Sequence, residues 1–325
     1  MIITFLGTSS GAPSRQRNVS ATAIQPERGK HWLLVDCGEA TQHQLLRTKL
    51  SPQKLSTILI THIHGDHCYG LPGLLASCQL SGRTEPLILV GPQPVWDYLQ
   101  AVILHTQLQI TYPLEFIPVG ESLALTAAGF NISAHPLSHR VPSWGYRFEE
   151  ANIPNRLDVE RLQAEGVGSG PHYGLLQKGI DVVLPDGRPL KSVDYCQPSY
   201  PARVAVIGGD NDLPELLSDA CQGSHVLVHE ATYTEDILQQ VGPEPQHSCA
   251  AQVANFAERN GVPSLILTHF SPRYQMQARK TRERSMDEIE AEARSCYRGK
   301  LFLAQDFDRY QIDRNGQVSL IRGES

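Results

Sequence analysis

Thr61-His62-Ile63-His64-Gly65-Asp66-His67 follows directly on the apolar β-branched run Thr57-Ile-Leu-Ile. Such a run reads as a buried strand, and the polar cluster after it as the loop at the strand's end. His62 and His64 lie two apart in an extended segment, so both imidazoles can address one side. Gly65 is expected to permit the turn that returns Asp66 and His67 to the same place. Neutral imidazoles mixed with carboxylate are the donor set of zinc, whereas an all-oxygen set suits magnesium or calcium.

Other short β-branched runs also stop at residues able to do chemistry. Phe130–Ala134 leads to His135 and His139, and Arg203–Ile207 to Gly208-Gly209-Asp210. His225–His229 leads to Glu230, and Leu265–Thr268 to His269. Strands that deliver polar groups at their C-terminal ends imply one shared rim. Helical spacing over Pro94–Leu108, after an N-cap at Ser248, and over Met286–Tyr297 alternates with the strands. The alternation predicts helices packed outside central sheets. A two-metal site needs about seven protein ligands, one of them bridging. His139, Asp210 and His269 are the downstream candidates, with His135 an alternative to His139. Two glycines before Asp210 allow close backbone approach, so its carboxylate is expected to bridge.

The chain has 325 residues, 41% apolar and 19% charged, enough for one large domain or two modest ones. Without a low-complexity tract or Pro/Ser linker, one domain over 1–325 is expected. No signal-like or membrane-length apolar stretch is present, which predicts a soluble, cytoplasmic protein with no membrane partner. Seven cysteines, none spaced as CxxC, read as reduced thiols. A net charge of −6 excludes a surface that grips nucleic acid everywhere. The segment 149–201 breaks the strand–helix rhythm with Gly166-Val-Gly-Ser-Gly-Pro171, Pro185-Asp-Gly187 and Cys196-Gln-Pro-Ser-Tyr-Pro201. Such dense turn chemistry predicts a protruding insertion with little core of its own.

The HxHxDH motif, a later His, a Gly-Asp and a final Thr-His resemble the metallo-β-lactamase superfamily, whose fold is an αββα sandwich. Within it the chain resembles the ribonuclease Z family of tRNA 3′-end endonucleases over almost its whole length. Gly7-Thr-Ser-Ser-Gly-Ala-Pro13 is similar to that family's first loop. Pro13-Ser-Arg-Gln-Arg-Asn18 resembles its PxKxRN motif, with Arg15 in place of Lys. Leu71-Pro-Gly-Leu-Leu75, His229-Glu-Ala-Thr232, His247-Ser248 and His269-Phe-Ser-Pro-Arg-Tyr274 also match. Gly170-Pro171 falls where the family carries a Gly-Pro motif in its tRNA-binding arm. Gly208-Gly-Asp-Asn211 and His247-Ser-Cys249 depart from the commoner Ser-Gly-Asp-Thr and His-Ser-Thr. Both departures keep the functional side chain.

The resemblance favours His139 over His135. It implies two zinc ions per subunit, one held by His62, His64 and His139, the other by Asp66, His67 and His269, with Asp210 bridging. It further implies Asp66 as general base, His247 as proton donor to the leaving 3′ oxygen, and Glu230 as the group that orients His247. The expected activity is removal of the 3′ trailer from precursor tRNA, leaving a 3′-hydroxyl, by a homodimer. A small-molecule phosphodiesterase or arylsulfatase of the same superfamily is the alternative. The insertion carries five Lys/Arg against eight Asp/Glu, so RNA contact must rest on a few groups. Arg15, Arg17, Asn18, Gly170, Pro171, Lys178, Arg188, Lys191 and Arg273 are the candidates for reading shape and phosphate spacing. Arg279, Lys280, Arg282 and Arg284 extend the cluster begun by Arg273.

Overall fold

The computed structural model describes residues 1–276 and 284–321. They form two compact units, one of residues 1–149 and 203–321 and one of residues 150–202. Two large sheets organise the first. In spatial order, the eight-stranded sheet runs Val318–Leu320, Arg309–Ile312, Ile2–Gly7, Ala21–Gln25, Trp32–Val35, Leu55–Leu59, Leu87–Gly91, Leu114–Pro118. The seven-stranded sheet runs Lys300–Leu303, Ser264–Thr268, Val226–Glu230, Val204–Ile207, Ser143–Glu150, Phe130–Leu137, Leu125–Ala127.

Side chains alternate across each strand, and the alternation sorts them into layers. Leu33, Val35 and Leu59 face Tyr146, Phe148, Ile207, Val228 and Ile266 in one buried cluster between the sheets. Their neighbours Trp32, Leu34, Ile58 and Ile60 turn the other way, onto Leu71, Leu74 and Leu75 of helix Leu71–Leu80 and Val95 and Leu99 of helix Gln93–Thr106. On the far side Val206, Leu227, Leu265 and Leu267 pack against helices Ala250–Arg259 and Met286–Cys296. The result is the expected four-layer αββα sandwich. Strands buried on both faces read as continuous apolar runs, which is why they were visible in the sequence.

Trp32–Val35, Leu55–Leu59 and Leu87–Gly91 are mutually parallel neighbours, as are Val204–Ile207, Val226–Glu230 and Ser264–Thr268. Parallel strands end together, so Asp36, Thr61-His62, Asp210, Glu230 and His269 emerge on common rims. Gly209 there answers a demand for space. A Cβ on Gly209 would lie 2.7 Å from Thr61 Cβ and 2.9 Å from Trp144 O, so the second sheet's loop can approach the first only without one. At Gly65 the expected left-handed turn is absent, and the first atoms a Cβ would meet belong to the ring of the exposed Tyr69 side chain. Helix Ala250–Arg259 starts one residue later than anticipated, with Cys249 rather than Ser248 as N-cap. Ser248 Oγ instead donates to Asn211 O at 2.6 Å.

The unit 150–202 holds two short antiparallel pairs, Asn155–Leu157 with Cys196–Pro198 and Val182–Val183 with Pro189–Leu190. Helices Val159–Ala164 and Pro171–Gln177 accompany them. The expectation of little core needs correction. Leu157, Leu162, Val167, Leu176, Val182, Leu184, Leu190 and Tyr195 are buried together. Isolated apolar residues between turns carry no period, so their convergence was not legible beforehand.

Candidate metal centre

The four-residue helix Gly65–Cys68 begins immediately after His64, whose extended backbone (φ −61°, ψ 146°) makes the bend. The loops after Phe130–Leu137, Val204–Ile207 and Ser264–Thr268 bring His139, Asp210 and His269 to the same place. Two groups of ligand-capable atoms result, His62/His64/His139/Asp210 and Asp66/His67/His269, each gathered within 4.8 Å. In the first, His64 Nδ1 stands 3.1 Å from both His62 Nε2 and His139 Nε2. Asp210 Oδ2 is 3.6 Å from His62 Nε2 and 3.8 Å from His139 Nε2. In the second, His269 Nε2 lies 3.2 Å from His67 Nε2 and 3.3 Å from Asp66 Oδ2. Asp210 Oδ1 is 3.4 Å from His67 Nε2 and 3.3 Å from His269 Nε2. The two oxygens of Asp210 therefore face different histidine pairs.

These separations test whether the residues fit metal ions. A tetrahedral ion with bonds of about 2.0–2.2 Å sets neighbouring donor atoms about 3.3–3.6 Å apart. The spacings to Asp66 and Asp210, 3.3–3.8 Å, scatter around that edge length and are long for hydrogen bonds, while the three imidazole pairs, at 3.1–3.2 Å, lie just below it. The electrostatics agree. Burial opposes charge on His67, yet Asp210, Asp66 and Asp36 together hold its imidazolium well above the usual histidine range. Three carboxylates converging on one buried ring call for a cation. The residues fit metal binding.

The far nitrogens of these rings are held as metal-ligating histidines require. Asp36 Oδ2 accepts from His67 Nδ1 at 2.7 Å, and Asp36 Oδ1 accepts the Thr61 N–H at 2.8 Å. His139 Nδ1 donates to Gln246 O at 2.8 Å, and His269 Nδ1 meets Thr232 Oγ1 at 3.1 Å. Asp36, Gln246 and His269 all adopt positive φ, at 60°, 51° and 56°, a conformation that non-glycine residues hold only under strong surrounding constraint. Sequence reading missed Asp36 and the role of Thr232. Asp36 carries the same signal as the candidate ligands, a polar group ending the apolar run Trp32–Val35. Thr232 stood in the His229-Glu-Ala-Thr232 match, but nothing in the motif pointed to a partner for His269.

Beside these two groups, Glu230 is 2% exposed and its Oε1 faces His247 Nδ1 at 3.0 Å. Glu230 also accepts the Asn211 N–H and the Thr232 hydroxyl, which fixes its position. Burial alone would lower the His247 pKa, but Glu230 outweighs it and pushes the ring up to about 9. Asp210, His247 and His269 form a third convergent group, with His247 Nδ1 3.8 Å from Asp210 Oδ2. His135 lies apart from these groups, its Nε2 3.2 Å from Ser133 Oγ.

The expected RNA contacts divide. Arg15 is exposed. Arg17 requires correction: it is 6% exposed, and its guanidinium donates to Thr8 Oγ1 and Ala304 O, each at 2.7 Å, beneath the Phe270 ring. It is a strut of the loop rather than a free cation. Asn18 donates through Nδ2 to Glu39 O at 2.8 Å. Arg273 is exposed over the Tyr233 ring, whose centroid is 6.0 Å from that of His247. Arg284 is paired with Asp236 and Glu288, and Arg279, Lys280 and Arg282 lie outside the described residues. Within the unit 150–202, Gly170 precedes helix Pro171–Gln177, and Lys178 and Lys191 are exposed. Arg188 is exposed but engaged by Asp186 and Glu165 O.

Asp36→Asn keeps the shape of the His67 support but removes its charge. Metal affinity is expected to fall about 10- to 100-fold, as losses of such supporting groups do. Competition against a chelating dye measures it, and unchanged affinity would reject the support assigned to Asp36.

Comparisons with known proteins agree with this geometry. A family model described as Anti-Pycsar protein Apyc1 matches residues 1–141, less than half of the chain. Ribonuclease Z of Marinobacter nauticus is 49% identical over 98% of this chain and 98% of its own. Ribonuclease Z of Pseudomonas putida strain KT2440 is 48% identical over 97% and 98%. The crystal structure of human tRNase Z, short form, is similar with a TM-score of 0.65 at 25% identity, covering 96% of this chain and 100% of that one. Similarity at this level, running through both sheets, the ligand loops and the insertion alike, means that the chain belongs to the ribonuclease Z family.

Proposed function

We propose that this chain is a zinc-dependent endoribonuclease that removes the 3′ trailer from precursor tRNA and leaves a 3′-hydroxyl on the tRNA. The observation that carries the reading is the end-to-end 49% identity with a chain named Ribonuclease Z. His62, His64 and His139 would hold one zinc ion, Asp66, His67 and His269 the other, and Asp210 both. Two zinc ions, when bound, supply an activated water and polarise a phosphoryl oxygen.

The chain's own residues supply orientation and protons. Asp66 offers a carboxylate at the edge of the cluster to align the attacking water. As the water oxygen bonds to phosphorus, the bond to the ribose 3′ oxygen breaks and that oxygen needs a proton. His247 is placed to give it. Glu230 holds its Nδ1, and Nε2 has no hydrogen-bond partner among the described residues. The buried Glu230 carboxylate fixes the ring's orientation throughout. Arg273 and Arg15, both exposed, are candidates for phosphates beside the scissile one. Gly170, Pro171, Lys178, Arg188 and Lys191 are candidates for the tRNA body, with the unit 150–202 as a binding arm. The small-molecule hydrolase reading leaves that unit without a role.

A homodimer with cytoplasmic location completes the reading. Leu46, Leu80 and Leu104 are 81, 88 and 71% exposed, apolar side chains of the kind that a second copy would cover. Among the described residues no helix is long and apolar enough to cross a membrane. Light scattering is expected to give twice the chain mass, and a monomer that cleaves normally would remove the dimer from the account.

The test of the reading is incubation with a 3′-extended precursor tRNA and mapping of both new ends. A single cut leaving a tRNA 3′-hydroxyl and a trailer 5′-phosphate is expected; resistance of the precursor with turnover of small phosphodiesters would favour the alternative. His247→Ala should lower kcat at least about 100-fold, the scale of general acid catalysis, with zinc content intact. Loss of zinc in that variant would make His247 a ligand. Replacing residues 166–191 with a Gly/Ser linker separates binding from chemistry. Hydrolysis of bis(p-nitrophenyl) phosphate should persist where the wild-type enzyme shows it, because no expected ligand lies between His139 and Asp210. Precursor cleavage should collapse, and its salt dependence flatten. Equal loss of both activities with zinc retained would mean that the segment shapes the active site instead.

A further inference from the structure

A network of buried and half-buried polar groups joins Asp306, in the turn before strand Arg309–Ile312, to the first loop. Asp306 Oδ1 accepts the Thr8 hydroxyl at 2.8 Å. Its Oδ2 accepts the Asn18 N–H at 2.6 Å and Gln44 Nε2 at 2.9 Å. The Thr8 hydroxyl in turn accepts from Arg17 Nη1 at 2.7 Å. One carboxylate thus holds both ends of the loop 8–18, whose base is closed by Thr8 N and Ser9 N donating to Asn18 O at 2.9 and 2.8 Å. Two further bonds tie the loop to the neighbour of His269: Phe270 N donates to Thr8 O at 2.9 Å, and Ser10 N to Phe270 O at 3.0 Å.

Between those anchored ends, residues 11–16 are all exposed. They make one contact with the metal centre. Gly11 N–H donates to Asp66 Oδ2 at 2.7 Å, a charge-assisted bond of the stronger kind. Gly11 has φ +68°, and a Cβ there would meet nothing within 4 Å. Glycine therefore serves the backbone angle that aims the N–H, not a shortage of space. Bonds within the loop, Ser9 Oγ to Ala12 O and Ala12 N to Ser10 O, each at 2.7 Å, shape its tip, so the aim of the N–H depends on how the two ends are held. The Asp306 network holds them from beneath.

We propose that Asp306 is a positioning residue for the reaction: by clamping the loop 8–18 it holds the Gly11 N–H against Asp66 and so fixes the rotation of that carboxylate. Thr8 is the relay between Asp306 and Arg17. This rests on the reading of Asp66 as the group that aligns the attacking water. Small errors in that alignment cost rate more than binding, since the tRNA body is gripped elsewhere.

The test compares Thr8→Val, Asp306→Asn and the conservative Thr8→Ser on the full chain. Thr8→Val and Asp306→Asn should lower kcat for precursor tRNA about ten-fold or more and leave KM within about two-fold. Zinc content should be unchanged, and amide hydrogen exchange should quicken over residues 9–16. Thr8→Ser, which keeps the hydroxyl, should behave as wild type. Wild-type kcat despite faster exchange, a rise in KM alone, or loss of zinc would each overturn the proposal. If Asp306→Asn does not fold, Thr8→Val decides. Failure of the wild-type protein to cut precursor tRNA would instead remove the underlying function, and is seen before any variant is made.

Discussion

Asp210 is 3% exposed and turns each of its two oxygens toward a different pair of histidines. A buried carboxylate in that position is costly unless positive charge faces both oxygens. The surrounding structure can be understood as the means of meeting that condition. The HxHxDH loop leaves the eight-stranded sheet, while His139, Asp210 and His269 leave the seven-stranded one. The centre exists only when the two sheets pack. Binding of metal and packing of the inner layer are therefore coupled, and removal of metal should loosen the seam between sheets before it loosens either sheet.

The same constraint explains where local strain sits. Asp36 and His269 end parallel strands in left-handed backbone, and Gln246 adopts it beside His247. Each presents a group that a relaxed chain would turn elsewhere: a carboxylate on His67, the His269 imidazole beside Asp66 and Asp210, and a carbonyl on His139. Gly209 allows the second sheet's loop to lie against Thr61. Strained backbone and missing side-chain volume thus serve one end, the approach of two sheets' worth of ligands to a common carboxylate.

Much of this was legible in the sequence because buried parallel strands leave apolar runs that end abruptly, and a polar residue at such an end is conspicuous. His62, Asp210, Glu230 and His269 stood out that way and converge in the structure; helices outside central sheets followed from the alternation, and the αββα sandwich from the resemblance. The choice of His139 over His135 needed the family resemblance, because the sequence did not show that the strand runs on to Leu137, which leaves His135 within it and His139 in the loop beyond. Asp36 carried the signal and was passed over for lack of a motif around it. Arg17 was misjudged because charge is visible in a sequence while burial of that charge is not. The core of the unit 150–202 escaped notice because its eight buried residues are scattered between turns without a period.

Anomalous diffraction at the zinc edge, from crystals of protein purified without chelators, tests the bridging role of Asp210 most directly. Two peaks about 3.5–4 Å apart are expected, one among His62, His64 and His139, the other among Asp66, His67 and His269, with an Asp210 oxygen on each. A single peak in active protein, or a second ion held by His247 with Asp210 bound to only one, would contradict it.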